Sequence, residues 1–519
     1  MPNYLSPGVY VNEVEAGTRP IEGVGTAVAA FVGLASKGPD NQPTLVSNWT
    51  QFSETFGDFI PGSYLAHAVY GYFLNGGGNC YVVRIGADGA REEKPKQQAP
   101  KAVTAAPTAE LGGYRLIAKS NAANPKPISV EIADAGGENP SEDQFKIVVT
   151  VEGKPPEVWD NVTTKRGPNN AATKVSAESK IVTIEEVATG GALVKPDKGT
   201  IQLVQPEPEP EPPTADELNA DDYVGDAADR TGFSGLEAVD EVTMVAVPDL
   251  MAAYEQGSID AETLKAVQLA AIAHCELMGD RVAIIDPPPN LNAQQIKDWR
   301  MDGGGFDSKF AALYWPWVKV FDPSTGTNRF VPPSGHMAGV WARNDDTRGV
   351  HKAPANEVVR GVTSLQTQIT KTEQELLNPI GVNCIRTFPG RGIRVWGART
   401  LSSDAEWRYL NVRRLFNYLE ESILQGTQWA VFEPNDPALW ARIRRTISAF
   451  LTNEWRKGAL FGVTPEQAFF VKCDAETNPA EGIDAGQVVC QIGVAPVKPA
   501  EFVIFQLSQF SGGTSLVSE

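Results

Sequence analysis

No stretch of this chain reaches the roughly 20 consecutive apolar residues that a bilayer-spanning helix needs, which excludes an ordinary helical anchor. Cysteine is scarce. Cys80, Cys275, Cys384, Cys473 and Cys490 are odd in number, widely separated and without a CxxC pair. That spacing supports neither a zinc site nor a disulfide framework, and buried free thiols are expected. The four histidines, His67, His274, His336 and His351, show no HxH or HExxH spacing, so no metal is expected. The glycine runs Gly76–Gly78 and Gly303–Gly305 match neither GxGxxG nor a Walker loop, and no GxSxG elbow occurs, so no cofactor is expected. An excess of positive charge is also missing. The formal net charge of -19 argues against a nucleic-acid partner, because phosphate contacts need clustered Lys and Arg. The start, MPNYLSPGVYVNEVEAG, has no basic n-region and no apolar h-region, which argues against a Sec-type signal and for assembly in a cytoplasm.

What is present describes a large globular chain. At 519 residues, with 42% hydrophobic and 21% charged, it exceeds one hydrophobic core, and two to four domains are expected. The charge is unevenly spread. From Gln205 to Glu241 twelve acids face Arg230 alone, a net of -11, whereas from Arg391 to Phe461 eleven bases face seven acids, a net of +4.

Residues 1–20 read as an extended arm, with Val9, Tyr10, Val11 and Val14 between Pro7 and Gly17 and no adjacent partner strand. An orphan strand must find its hydrogen bonds elsewhere. Residues 21–86 and 231–355 read as one interrupted α/β domain. In the first piece, VGTAVAAFVGLA is a strand, a helix runs from about Tyr64 to Leu74 behind Ser63 as its cap, and CYVVRIG is a strand. In the second, VTMVAVPDL, a helix from about Ala261 to Met278 and RVAIIDPPP make a strand-helix-strand crossover of the right-handed parallel type. Asp260 caps this helix and Gly279 ends it. The stretch from Leu313 to Asn356 packs Trp, Pro and Gly with charged pairs, and reads as a stiff shape without chemistry.

Between the two pieces, residues 87–230 change texture. An Ala/Pro/Lys-rich linker leads to the alternating segments YRLIAKS, ISVEIAD, FKIVVTVEG, KIVTIEEV and TIQLVQ, an all-β surface insertion that closes with the acidic spacer PEPEPEPP. Residues 356–499 hold two amphipathic helices. Ser403 with Glu406 reads as a capping box for the first, and Asp436 before Pro437 starts the second. The second helix carries Arg445, Thr452 and Arg456 on its outer face. Thr464, Pro465 and Gln467 make a further capping pattern. In residues 500–519, EFVIFQLSQF alternates Phe502 and Ile504 with Val503, Phe505 and Leu507, apolar on both faces, so a covering partner is required.

Asp249 and Asp286 fall at the ends of expected parallel strands, where α/β enzymes hold ligands. Turn formation beside Pro248 and before Pro287 is the plainer account. His351, near Asp345, Asp346 and Arg348, is the one histidine in a polar cluster.

The ordered series SPGVYVNEVE, FLNGGGNCYVVRI, VTMVAVPD, YWPWVKV, VPPSGHMAGVWARND, RGVHKAPAN, LNPIGVNCIR, VWGARTL, YLNVRRLFNYLEESI, WAVFEPND and PAEFVIFQLSQF resembles the contractile tail sheath family of phage tails, tailocins and bacterial injection particles. The resemblance covers residues 1–86 and about 240–510. It implies a mixed α/β multidomain core and a non-enzymatic subunit that stacks with itself around an inner tube and contracts. It implies a baseplate and a tail terminator as further partners, and a finished particle as the destination. The two terminal arms would be strands donated to neighbours. A basic helical surface, Arg445, Arg456 and Lys457 first and Arg413 and Arg414 next, would face the tube. An α/β hydrolase using Asp249 or Asp286, and a surface adhesin built on the insertion, are the rival readings.

Overall fold

The computed structural model describes residues 20–86, 108–111, 114–119, 128–136, 141, 143–151, 155–165, 167–186, 195–203 and 218–506. Val9, Tyr10, Val11 and Val14 of the expected first arm, the acidic spacer and Leu507 lie outside these. The chain divides into two compact units, Met1–Asp88 with Pro212–Glu519, and Gly89–Glu211.

The larger unit is built on one sheet. Its first strands are β1 (Ala29–Gly33), β2 (Thr44–Val46) and β3 (Cys80–Arg84), with helices α1 (Trp49–Phe56) and α2 (Leu65–Asn75) between β2 and β3. After the insertion come β4 (Met244–Ala246), α3 (Asp249–Gln256), α4 (Ala261–Met278), β5 (Val282–Ile285) and β6 (Ala311–Trp315). A small antiparallel sheet follows, β7 (Val318–Asp322), β8 (Thr327–Val331) and β9 (Val362–Leu365), with α5 (Ser334–Arg348) between β8 and β9. Strands β10 (Val382–Phe388) and β11 (Gly392–Val395) return to the main sheet. Its order is β11-β10-β6-β5-β4-β1-β3-β2. The six central strands pair in parallel, and β11 and β2 close the edges antiparallel.

The sequences of β1, AAFVG, and β6, AALYW, are buried at every position, as parallel strands covered on both faces must be. The expected crossover is present: β4 pairs in parallel with β5, and α4 between them starts where Asp260 accepts from Thr263 N–H at 2.8 Å. Helices α2 and α5 approach closely because Gly335 and Gly339 carry no side chain. A Cβ on Gly335 would lie 2.3 Å from Ala68 Cα, and one on Gly339 2.4 Å from the Tyr72 carbonyl.

The Leu313–Asn356 stretch lies in the core. It supplies β6, the β7–β8 hairpin and α5, and its Trp315, Trp317 and Trp341 are buried. The α/β body also runs past the expected boundary at residue 355, since β10 and β11 complete the same sheet. Strand β10 follows the short helix Lys371–Leu377 and the turn Asn378–Ile380, which stand between it and the rest of the sheet in sequence.

Beyond the sheet, α6 (Leu410–Thr427), α7 (Pro437–Arg456) and the hairpin β12 (Phe469–Lys472) with β13 (Gln491–Val494) form a second apolar core around Leu415, Leu419, Ile443, Ile447 and Phe450. Asp436 caps α7 as expected, accepting from Leu439 N–H at 2.8 Å with Pro437 in the first turn. The expected Ser403–Glu406 box is not a cap. Helix α6 begins at Leu410, and Ser403 donates to Asp307 instead, its backbone N–H at 2.8 Å and its hydroxyl at 2.6 Å.

The smaller unit holds two antiparallel sheets. One pairs Thr108–Leu111, Tyr114–Ala118 and Val182–Glu186, and the other orders Gly199–Gln202, Ile128–Asp134, Gln144–Val151 and Glu157–Thr163. It is not all-β: a helix, Ala171–Glu178, is capped by Asn170 and buries Ala171 and Val175 in a core with Phe145 and Val162.

Candidate assembly surface

Strand β1 has β3 on one side and β4 on the other, so the chain direction across the sheet reverses between β1 and β4. At such a switch point α/β enzymes bind ligands beyond the carboxyl ends of the strands. Here that position is filled by the chain. Asp249, fully buried, accepts from Leu34 N–H at 2.6 Å, Leu65 N–H at 2.9 Å, the Ser63 hydroxyl and Tyr64 N–H. One carboxylate thus satisfies the free N–H groups that open α2 and ties them to the end of β1. Asp286, at the end of β5, does the same for α5, accepting from Ser334 N–H at 2.9 Å and the Ser334 hydroxyl at 2.5 Å. Burial pushes Asp249 up to about 6 and Asp286 up to about 7, against the hydrogen bonds that favour their charged forms. The turn reading of both is replaced by this trans-capping role, and their oxygens are occupied by backbone and serine rather than by a catalytic base.

The other polar candidates are also committed. His274 is buried beside Arg281, and burial lowers it to about 4. Asp345, near His351, is held by Arg414. An open cleft of about 420 Å³ lies at the opposite, amino end of the strands, lined by Thr243, Asp240, Glu241, Asp280, Tyr418 and Glu421 among others. Among the described residues no cluster of three or more His, Cys, Asp or Glu side chains is placed to hold a metal ion. No helix among them is long and apolar enough to cross a membrane.

Two surfaces among the described residues bear on the expected assembly. The first is the C-terminal segment. Phe502, Val503, Ile504 and Phe505 are 73%, 68%, 82% and 85% exposed, and residues 501–506 pair with no strand. Their root, however, is fixed. Glu501 accepts from Arg399 Nε at 2.9 Å, Arg399 Nη2 at 2.5 Å and Asn378 Nδ2 at 2.8 Å, with Tyr409 Oη at 3.4 Å. Burial alone would raise this carboxyl, but the Arg399 and Asn378 hydrogen bonds hold it below its ordinary value. The Arg399–Glu501 clamp was not anticipated from sequence. Its one signal there is a lone acid directly before FVIF.

The second surface is the outer stripe of α7. Arg445 and Arg456 are exposed and form no ion pair among the described residues. Eleven positions apart, they fall on one face, separated by about 16 Å along the axis. Lys457 is exposed beside them and pairs with Glu454 at 2.7 Å. Arg413 and Arg414 do not join this stripe. Both are buried: Arg413 stacks on Phe310 and Trp407, 4.7 and 4.5 Å from the ring centres, and reaches Asn417 and Glu420. Arg414 binds Asp345 at 2.5 and 2.9 Å and covers Trp341. The helical periodicity places them inward, which a count of charges along the chain does not register.

Residues 223–401 match the phage tail sheath protein central domain, and residues 402–510 the phage tail sheath C-terminal domain. The chain belongs to the phage tail sheath family. The tail sheath protein of Burkholderia phage BcepMu is 26% identical over 97% of this chain and 96% of its own length. That of Vibrio phage KVP40 is 28% identical over 43% of this chain, which spans only 36% of that longer protein. The fold is that of contractile injection sheaths. A chain of the anti-feeding prophage baseplate superposes with a TM-score of 0.57 at 24% identity, over 98% of this chain and 100% of that one. A chain of the contracted PVC sheath complex gives the same TM-score and identity over 98% and 99%.

Proposed function

We propose that the chain is a structural, non-enzymatic subunit of a contractile tail sheath, which polymerises around an inner tube and shortens to drive that tube through a target envelope. The observation that carries this is the apolar segment Phe502–Phe505, exposed and unpaired beyond a fixed root at Glu501. Exposed apolar residues on both faces of an extended segment call for a second chain, and a neighbouring copy that accepts it as an added strand satisfies both its backbone and its side chains. With about five to eight ladder bonds at ~0.5–1.5 kcal/mol each, one donated strand contributes several kcal/mol before its ordering cost. Val9, Tyr10, Val11 and Val14 would make the reciprocal tether at the other end.

The inner tube is the partner of the α7 stripe, through Arg445, Arg456 and Lys457; Arg413 and Arg414 serve the fold instead. Baseplate and tail-terminator proteins meet the ends of the polymer. Assembly takes place in the producing bacterium's cytoplasm, and the finished sheath belongs to a virion tail or a released injection particle. The commitment of Asp249 and Asp286 to helix capping weighs against a hydrolase, and no specific observation favours an adhesin.

Electron microscopy of the purified chain, alone and with its tube protein, tests this. Hollow striated polymers are expected, and small discrete oligomers under all conditions would defeat the proposal.

A further inference from the structure

The hairpin of β12 and β13 places two of the five cysteines side by side. Its register pairs Phe469 with Val494 and continues to Lys472 with Gln491, so the next opposed positions are Cys473 and Cys490. Directly opposed residues of an antiparallel pair have Cα atoms roughly 4.5–5.5 Å apart, inside the window of about 4.4–6.8 Å that a disulfide needs. The two thiols are close enough for each to act on the other's titration. Asn478 braces the arrangement. Its amide lies 3.9 Å from Cys473 Sγ and donates to the Val489 carbonyl at 3.1 Å, while Val489 N–H returns to Asn478 Oδ1 at 2.6 Å. Cys473 is buried and Cys490 half-buried, so one sulfur is reachable from solvent and the other waits behind it. Cys80, Cys275 and Cys384 are buried in the other core.

We propose that Cys473 and Cys490 are a redox-modification site, converted by a small oxidised disulfide of the glutathione class into an intrachain bridge that closes the 474–489 loop. Cys490 loses its proton to solvent and its thiolate attacks one sulfur of the small disulfide, breaking that S–S bond and releasing a small thiolate, which takes up a proton. Cys473, deprotonated in turn, attacks Cys490 Sγ in the mixed disulfide and displaces the second small thiol. The chain loses two electrons and two protons, and the two small thiols carry them away. Arg444 of α7 donates to the Cys473 carbonyl at 3.0 Å, so the bridge would fasten the loop to the helix that bears Arg445 and Arg456. Burial first, and the neighbouring Cys473 second, push the Cys490 thiol up to about 12, so the first step is slow at neutral pH and quickens in alkali. The site does not depend on the sheath assignment, because its readout is covalent.

The experiment treats the undenatured full-length protein with oxidised glutathione at pH 8.5, alkylates the remaining thiols and digests without reductant for mass spectrometry. A Cys473–Cys490 linked peptide that disappears on reduction is expected, and Cys473→Ser should stop at a Cys490–glutathione adduct. The inference is overturned if both thiols are alkylated in the native chain after exposure that glutathionylates Cys490 in Cys473→Ser, if Cys490 never reacts, or if the link joins other cysteines.

Discussion

Arg399 and Glu501 meet as a two-pronged ion pair, Nε on one carboxylate oxygen at 2.9 Å and Nη2 on the other at 2.5 Å. Arg399 leaves the sheet just after β11, and Glu501 stands one residue before the exposed Phe502–Phe505 segment. The pair therefore fixes where, and in which direction, the segment departs.

Replacing Glu501 by Gln removes the charge from four accepted hydrogen bonds and should cost about 1.5–3 kcal/mol locally. The subunit should still fold, with its thermal midpoint little changed, and polymerise poorly because the segment leaves at varied angles. Since the folded carboxyl titrates below its ordinary value, its contribution is complete above about pH 4.3 and is lost as pH falls through the folded value. Limited proteolysis after residue 501, compared between the two proteins at each pH, should be slower in the wild type than in Glu501→Gln at pH 7, and the difference should shrink as pH falls through the folded value.

The double reversal Arg445→Glu with Arg456→Glu should leave the unfolding midpoint within error, both side chains being exposed. Co-sedimentation with tube protein should nevertheless be lost. Arg413→Ala should do the reverse. Removing its stacking on Phe310 and Trp407 and its bonds to Asn417 and Glu420 should cost about 2–4 kcal/mol by urea titration.

Gly335→Ala should destabilise the larger unit by about 1–3 kcal/mol, because the added methyl meets Ala68 backbone rather than a movable side chain. Gly257→Ala, with open space around it but a φ of 77°, should cost less. Urea unfolding of the two variants side by side checks the difference.

Asp249 and Asp286 imply a pH slope of the opposite sign to Glu501. Their folded values, about 6 and about 7, lie above the roughly 3.9 of an unfolded Asp, so between these limits the native state binds more protons. Their contribution to stability is full below about pH 4 and declines as pH rises to about 7. Asp286→Asn should flatten the upper part of this decline in urea titrations at fixed pH steps.

The α/β core was legible because its signals are local. The apolar runs at Val245 and Ile284, the Asp260 and Asp436 caps and the terminal glycine of α4 each act within a few residues. What escaped was set by distant partners. Ser403 has the spacing of a cap, yet Asp307, 96 positions earlier, takes its hydroxyl. Asp249 looked like a turn residue because Leu34 and Leu65 are remote in sequence. Of the five cations expected outside, Arg413 and Arg414 face inward, since α6 turns them toward Trp407 and Trp341. The apolar Phe502–Phe505 run was legible, but the Arg399 that seats it lies 102 positions upstream of Glu501.

The carboxylate of Asp249 stands where a removable guest would sit in a catalytic relative of this sheet. A guest that enters and leaves lets a protein breathe between open and closed forms; a covalently tethered occupant removes that freedom. Stitched to β1 and α2 at that seam, the slab has no hinge of its own there. Any large change of length in an assembly of such chains then falls to the joints between slabs.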